Sequence, residues 1–124
     1  MIAVDTSSLS AFLKGDGGAD IDRLATALRG GQLCLPPVVL TEILSDPSLG
    51  PQLVAILGAL ETLPILDGYW RRAGLQRQEL KRLHLRSKVA DALIAQSCID
   101  HDVPLITRDS DFRHFVKHCG LKLA

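Results

Sequence analysis

Short apolar runs recur along the chain at intervals that suit buried β-strands. Four runs of three to five residues are bounded by turn-forming or polar residues, as strands usually are. A terminal run of three residues predicts a fifth strand. These predicted strands are "IAV" at 2–4, "QLCL" at 32–35, "LPIL" at 63–66, "VPLIT" at 103–107 and "LKL" at 121–123.

Helical periodicity fills the segments between the strands. Over residues 19–29, Ile21, Leu24, Ala25 and Leu28 recur at i, i+3, i+4 and i+7, and two glycines follow. Because strands alternate with helices, the pattern predicts an α/β fold with a parallel sheet covered on both faces. Further helices are predicted at 7–13, 36–45, 49–60, 69–85, 88–100 and 110–118.

Composition agrees with one compact α/β domain over residues 1–124. The chain is 47% hydrophobic but only 4% aromatic, which suits helices packed on a sheet better than an aromatic binding platform. The three cysteines form no CxxC pair and predict reduced thiols in a cytoplasmic protein. We expect neither a signal peptide nor a membrane span, because no basic leader or run of about 20 apolar residues occurs.

Positive charge is concentrated in one segment, although the net charge is zero. Residues 71–88 contain seven of the fourteen Lys and Arg residues and only one of the fourteen acids, Glu79. Such a segment suits contact with phosphates, although charged runs are usually solvated helix faces.

Two aspartates follow predicted strands directly, Asp5 after the first and Asp109 after the fourth. Ligands of parallel sheets bind beyond the carboxyl ends of the strands. If these two strands are neighbours, both carboxylates face the same crevice. Each aspartate could instead simply cap the helix that follows it, with Asp111 supporting the first turn of the second helix.

Asp91 is harder to explain as a surface residue. It lies in "VADALIAQSCI", which is apolar on nearly every face, so its helix should be buried. A favourable position at a helix N-terminus contributes only about 0.3–1 kcal/mol, which is too little to offset deep burial of an unpaired charge. Asp91 therefore needs an opening, a partner or a cation. For Glu42, in "VVLTEIL", a solvent-facing helix strip is an equally good explanation.

The order of these acids resembles that of a known family. "DTS" after the first strand, the acid in "VVLTEIL", then "ADALIAQSC" and "PLITRDSDF" resemble PIN-domain ribonucleases, and closely the VapC-type toxins of bacterial toxin–antitoxin pairs. The likeness extends from residue 1 to about 115. It implies a PIN-like three-layer α/β/α sandwich around a mainly parallel sheet of about five strands. It also implies an acidic pocket holding Mg²⁺ or Mn²⁺, formed by Asp5, Glu42, Asp91 and Asp109, with Asp111 as a secondary candidate and Ser7 and Thr107 as supporting polar groups.

The resemblance also implies an activity and partners. The expected activity is endoribonuclease cleavage by metal-activated water, leaving a 5′-phosphate and a 3′-hydroxyl. The expected partners are RNA, a second copy of the chain and an antitoxin whose C-terminal segment enters the active site. Converging carboxylates repel one another unless a cation compensates, and hard oxygen ligands favour Mg²⁺ or Mn²⁺. Candidate RNA contacts are Arg71, Arg72, Arg82, Arg86 and Arg108.

Other classes of function remain open at this stage. A catalytically silent PIN fold would keep the architecture and bind only a partner. A phosphoacceptor receiver domain is also small and α/β, and Asp67 and Thr107 fit it superficially, but its second acid after the first strand is missing. A zinc site at His114, His118 and Cys119 lacks a second ligand cluster.

Overall fold

A computed structural model describes all residues, 1–124, as a four-stranded sheet flanked by seven α-helices. The predicted α/β class is confirmed. None of the helices has both the length and the apolar character that a membrane crossing needs. The elements in chain order are β1 Ile2–Val4, α1 Thr6–Leu13, α2 Ala19–Arg29, β2 Leu33–Leu35, α3 Pro37–Leu44, α4 Pro51–Ala59, β3 Glu61–Thr62, α5 Tyr69–Arg82, α6 Val89–His101, β4 Leu105–Ile106, a 3₁₀ turn Ser110–Phe112 and α7 Arg113–Cys119.

The sheet is parallel throughout, with strand order β3-β2-β1-β4. β1 therefore pairs with β4, so the carboxyl ends of these two strands lie side by side. A crevice shared by Asp5 and Asp109 requires this arrangement. The Asp5 amide donates to the Ile106 carbonyl at 3.0 Å, which extends this pairing to the end of β1. Asp5 and the segment 107–109 consequently leave the sheet side by side.

The third strand is shorter and earlier than predicted, since it covers Glu61–Thr62 and not 63–66. The Leu63 amide still donates to the Leu35 carbonyl at 2.9 Å. Pro64 follows and has no N–H to donate, so the ladder stops there. Ile65 and Leu66 are exposed.

The expected fifth strand is reduced to an isolated bridge between Leu105 and Leu123. Gly120, at φ +83°, ends α7 and turns the chain back along β4. Two backbone hydrogen bonds of 2.9 Å then join Leu105 to Lys122 and Ala124.

The core lies between the sheet and its helices, and α6 is buried as its apolar sequence predicted. Val4, Leu35, Ile94 and Phe112 are among the most deeply buried side chains. Phe112 lies in the 3₁₀ turn that follows the segment 107–109, so core packing fixes that segment from its C-terminal side.

Candidate metal centre

Three carboxylates meet beyond the carboxyl end of the sheet. Asp91 comes from the first turn of α6, whereas Asp109 and Asp111 come from the turn after β4. One oxygen from each lies within 4.8 Å of the other two. This trio is called the acidic cluster below.

Asp91 is the one buried carboxylate of the acidic cluster. Its residue is only 8% exposed, and its buried Oδ2 has no hydrogen-bond donor. Burial raises the pKa of Asp91 to about 6, and repulsion by Asp109 adds to the effect, while nearby Lys88 opposes it. An ionised, buried carboxylate oxygen without a donor is costly. It is the kind of group that a cation would satisfy.

Asp109 both caps the 3₁₀ turn and belongs to the acidic cluster, so the two interpretations of this residue are compatible. Its Oδ1 accepts the Asp111 amide at 2.9 Å, while its own amide donates to Thr107 Oγ1 at 3.0 Å. The cap also explains how Asp111, the secondary candidate, comes to lie beside the other two carboxylates. The third carboxylate of the acidic cluster therefore comes from Asp111.

Asp5 lies next to this cluster but is held by hydroxyl and amide donors. It is 2% exposed and caps α1 by accepting the Ser8 amide at 2.9 Å. Ser7 Oγ and Thr107 Oγ1 donate to its Oδ2 at 2.7 and 2.6 Å. Burial raises the pKa of Asp5, whereas these hydrogen bonds oppose the rise and repulsion by Asp109 adds to it. Through Thr107, Asp5 is connected to the backbone of Asp109.

Glu42 lies outside the acidic cluster. It is exposed on α3, and its Oε1 accepts a hydrogen bond from Thr6 Oγ1 at 2.6 Å. It lines a cavity of about 230 Å³ together with apolar residues that include Leu13, Ile43 and Leu53. Of the four acids predicted to share one pocket, the structure thus brings Asp91 and Asp109 into direct proximity and places Glu42 on the neighbouring α1–α3 surface.

Two of the predicted RNA-binding arginines form strong intramolecular ion pairs. Arg72 contacts both carboxylate oxygens of Asp100, at 3.0 and 2.7 Å. Arg108 contacts both oxygens of Asp20, at 2.8 and 3.0 Å. Bidentate pairs of this kind hold a guanidinium in place. The sequence did not indicate either acidic partner, because each pair joins residues far apart in the chain.

Two other arginines border the acidic cluster without forming a close ion pair, and Arg113 Nη1 donates to the Ser110 carbonyl at 2.7 Å. Arg86 Nε and Arg113 Nη1 each lie 3.9 Å from an oxygen of Asp111, and both side chains are mostly exposed. Arg113 was not among the predicted contacts, although its place four residues after Asp109 was a usable signal. Arg71 and Arg82 are exposed on α5, where Arg82 lies 3.6 Å from Glu79.

The donor set fits a hard divalent cation. It consists of carboxylate oxygens only, and one of them is buried without a donor. Mg²⁺ and Mn²⁺ prefer such ligands and keep open positions for water and phosphate oxygen. His114, His118 and Cys119 do not belong to this group of carboxylates.

The sequence matches the family model described as PIN domain over residues 2–117. The chain belongs to the PIN domain family. The resemblance to PIN-domain ribonucleases is thereby confirmed as a family relationship, and the receiver-domain alternative is set aside. No curated protein sequence matches this PIN domain.

Solved structures of toxin–antitoxin complexes share the fold of this PIN domain. VapBC2 from Rickettsia felis, bound to a DNA fragment from its promoter, matches with a TM-score of 0.75 and 22% identity over 100% of this chain and 98% of that chain. VapBC-5 from Mycobacterium tuberculosis gives 0.66 and 24% over 98% and 95%. DNA-bound VapBC from Salmonella typhimurium gives 0.69 and 19% over 100% and 98%. The likeness therefore extends along whole chains.

Proposed function

We propose that this PIN domain is a metal-dependent endoribonuclease and the toxin of a toxin–antitoxin pair in the cytoplasm. One observation carries the nuclease proposal, namely the buried Asp91 Oδ2 without a donor inside a group of three carboxylates. Asp91, Asp109 and Asp111 would hold Mg²⁺ or Mn²⁺. The family membership and the VapBC-like fold support the same conclusion.

A bound divalent cation would supply an activated water and offset the charge that develops on the scissile phosphate. The residues of this chain supply the binding and positioning. Asp5, fixed by Ser7 and Thr107, adds negative charge on the inner side of the acidic cluster. A fourth-acid role for Glu42 stays a prediction, because its carboxylate is held by Thr6 on the adjoining surface.

Arg86 and Arg113 are the best-placed contacts for RNA phosphates. They lie on opposite oxygens of Asp111 at 3.9 Å, close enough to be attracted but too far for hydrogen bonds. Arg113 Nη1 donates to the Ser110 carbonyl at 2.7 Å, and the remaining donors of the two arginines are available to phosphates beside the acidic cluster. Arg71 and Arg82 would extend this track along α5, whereas Arg72 and Arg108 are held by Asp100 and Asp20.

A protein partner is part of the proposal. The nine residues of α4 carry no charge, and only Leu57 is buried. Val54 and Ile56, together with Leu44 at the end of α3, present exposed apolar side chains nearby in sequence. An antitoxin chain or a second copy of this chain would remove such surface from water. The VapBC complexes with the same fold favour the antitoxin as one occupant.

Cleavage of total cellular RNA with Mn²⁺ or Mg²⁺ tests the proposal. Discrete fragments with 5′-phosphate ends are expected from the wild type, and EDTA or Asp91→Asn should abolish them. Asp102→Asn is the matched control, because Asp102 ends the same helix, is exposed and has a φ of +50° that Asn tolerates. Folded wild-type protein that binds the metal but cleaves no RNA would instead support a silent binding module.

A further inference from the structure

Arg108 lies between two residues that build the site, yet its guanidinium forms no ion pair with the acidic cluster. Thr107 contacts Asp5, and Asp109 contributes its carboxylate to the cluster. Successive side chains point to opposite sides along extended backbone, so the Arg108 side chain leaves the chain on the side opposite to Thr107 and Asp109. Its guanidinium contacts Asp20 at the start of α2.

The contact between Arg108 and Asp20 is a two-point ion pair with additional support. Nε and Nη2 of Arg108 donate to the two oxygens of Asp20 at 2.8 and 3.0 Å, and Nη2 also donates to the Gly17 carbonyl at 3.1 Å. Ser8 Oγ donates to Asp20 Oδ2 at 2.8 Å. Arg108 holds the pKa of Asp20 well below its usual range. The pair thus joins the end of β4 to both α1 and α2.

Gly18 provides the space that this pair occupies. A Cβ atom at this position would lie 2.8 Å from Asp20 Oδ1 and 3.3 Å from Arg108 Nη2. The backbone φ of +142° is also one that residues with side chains rarely adopt. The glycine in the turn before α2 therefore leaves room for the ion pair. An acid that only interacted with the helix terminus would not require a glycine there.

We infer that Asp20 and Arg108 are positioning residues for the metal centre, an inference that rests on the proposed function. They fix the middle of the segment 107–109, while Thr107 is fixed by Asp5. Together these anchors hold the Asp109 carboxylate beside Asp91. The planar fork of arginine sets both distance and orientation against a carboxylate, which a lysine cannot do.

Mn²⁺ binding measured by calorimetry on folded, metal-free protein tests the inference without relying on cleavage. Asp20→Asn keeps the shape of the side chain but removes the charge, and we expect it to weaken Mn²⁺ binding about tenfold. Asp22→Asn is the matched control, because Asp22 is an exposed acid in the same first turn of α2 and should leave binding unchanged. Arg108→Lys should reproduce the loss seen with Asp20→Asn.

The double variant shows whether the two residues act as one unit. Asp20→Asn with Arg108→Lys should lose about tenfold, as each single variant does, because both remove the same contact. Unchanged Mn²⁺ affinity in Asp20→Asn, with a lower melting temperature in EDTA, would overturn the inference and leave only a structural ion pair. Wild-type protein that binds no Mn²⁺ would refute the metal centre and the inference together. Expected affinities without RNA cleavage would refute only the proposed nuclease.

Discussion

Asp91→Asn should make the metal-free protein more stable at neutral pH while destroying its metal response. Ionised Asp91 is buried beside Asp109 and Asp111, and its Oδ2 lacks a donor. Asparagine has nearly the same shape, carries no charge and can donate to the neighbouring carboxylates. The substitution therefore removes a repulsive interaction without opening a cavity.

The magnitude follows from the pKa of Asp91, which rises from 3.8 to about 6. At about 1.36 kcal/mol per pH unit, ionised Asp91 lowers the free energy of unfolding by at most about 3 kcal/mol, and by about half of that once solvent screening of its partly exposed neighbours is included. This penalty is complete above pH 6, declines as the pH falls towards 3.8, and is absent when both folded and unfolded states are protonated.

Thermal unfolding in EDTA between pH 4 and pH 8 measures this effect. At pH 7.5 the variant should melt about 5–10 °C above wild type, and the two curves should converge near pH 4. Mn²⁺ at about one hundred times its dissociation constant should stabilise wild type by about 2.7 kcal/mol and leave the variant unchanged. A variant that is less stable than wild type at pH 7.5 in EDTA would show that Asp91 has a stabilising partner, and would refute the reasoning. Asp102→Asn should respond to pH and Mn²⁺ as wild type does, because its exposed ion pair with Lys122 contributes little to stability.

Three further changes test other parts of the structure. Arg86→Gln combined with Arg113→Gln, made in the Asp91→Asn background, should weaken RNA binding. It should also reduce the slope of log affinity against log salt concentration by about 1.4, since each phosphate contact on a single strand contributes about 0.7. An unchanged slope would exclude these phosphate contacts. Thr107→Val should lower the free energy of unfolding by about 1.5–3 kcal/mol in urea at pH 7.5, because buried Asp5 loses a charged hydrogen bond, and a loss below about 0.5 kcal/mol would contradict that role. Phe112→Ala should cost about 3–5 kcal/mol in the same assay, since this ring is fully buried at the end of the segment 107–109; near-wild-type stability would show that the segment is not fixed by the core.

Much of the fold could be predicted because its signals are local. The periodicity of residues 19–29 gave the bounds of α2, and the apolar sequence around Asp91 correctly predicted a buried helix. The third strand was predicted at the wrong place because "LPIL" is as apolar as a buried strand. Its Pro64 has no backbone N–H, so the segment cannot continue the hydrogen-bond ladder. The terminal strand was overestimated because apolar content alone does not show how many residues can pair with β4.

The site was less predictable where side chains meet across long separations. Asp91 could be singled out because burial of a lone acid is visible in the sequence. The place of Asp111 depends on the turn closed by Asp109, and that of Glu42 depends on the packing of α3 against α1, through Thr6. The Asp20–Arg108 pair joins residues 88 positions apart, so no local pattern could reveal it.

The central claim is that the acidic cluster of this PIN domain binds a divalent cation. Crystals grown with Mn²⁺ and measured for its anomalous scattering test it most directly, with Asp91→Asn crystals as the control. We expect a strong peak within coordination distance of Asp91 Oδ2, Asp109 and Asp111, and no peak in the variant. A wild-type peak bound elsewhere, or none at saturating Mn²⁺, would contradict it.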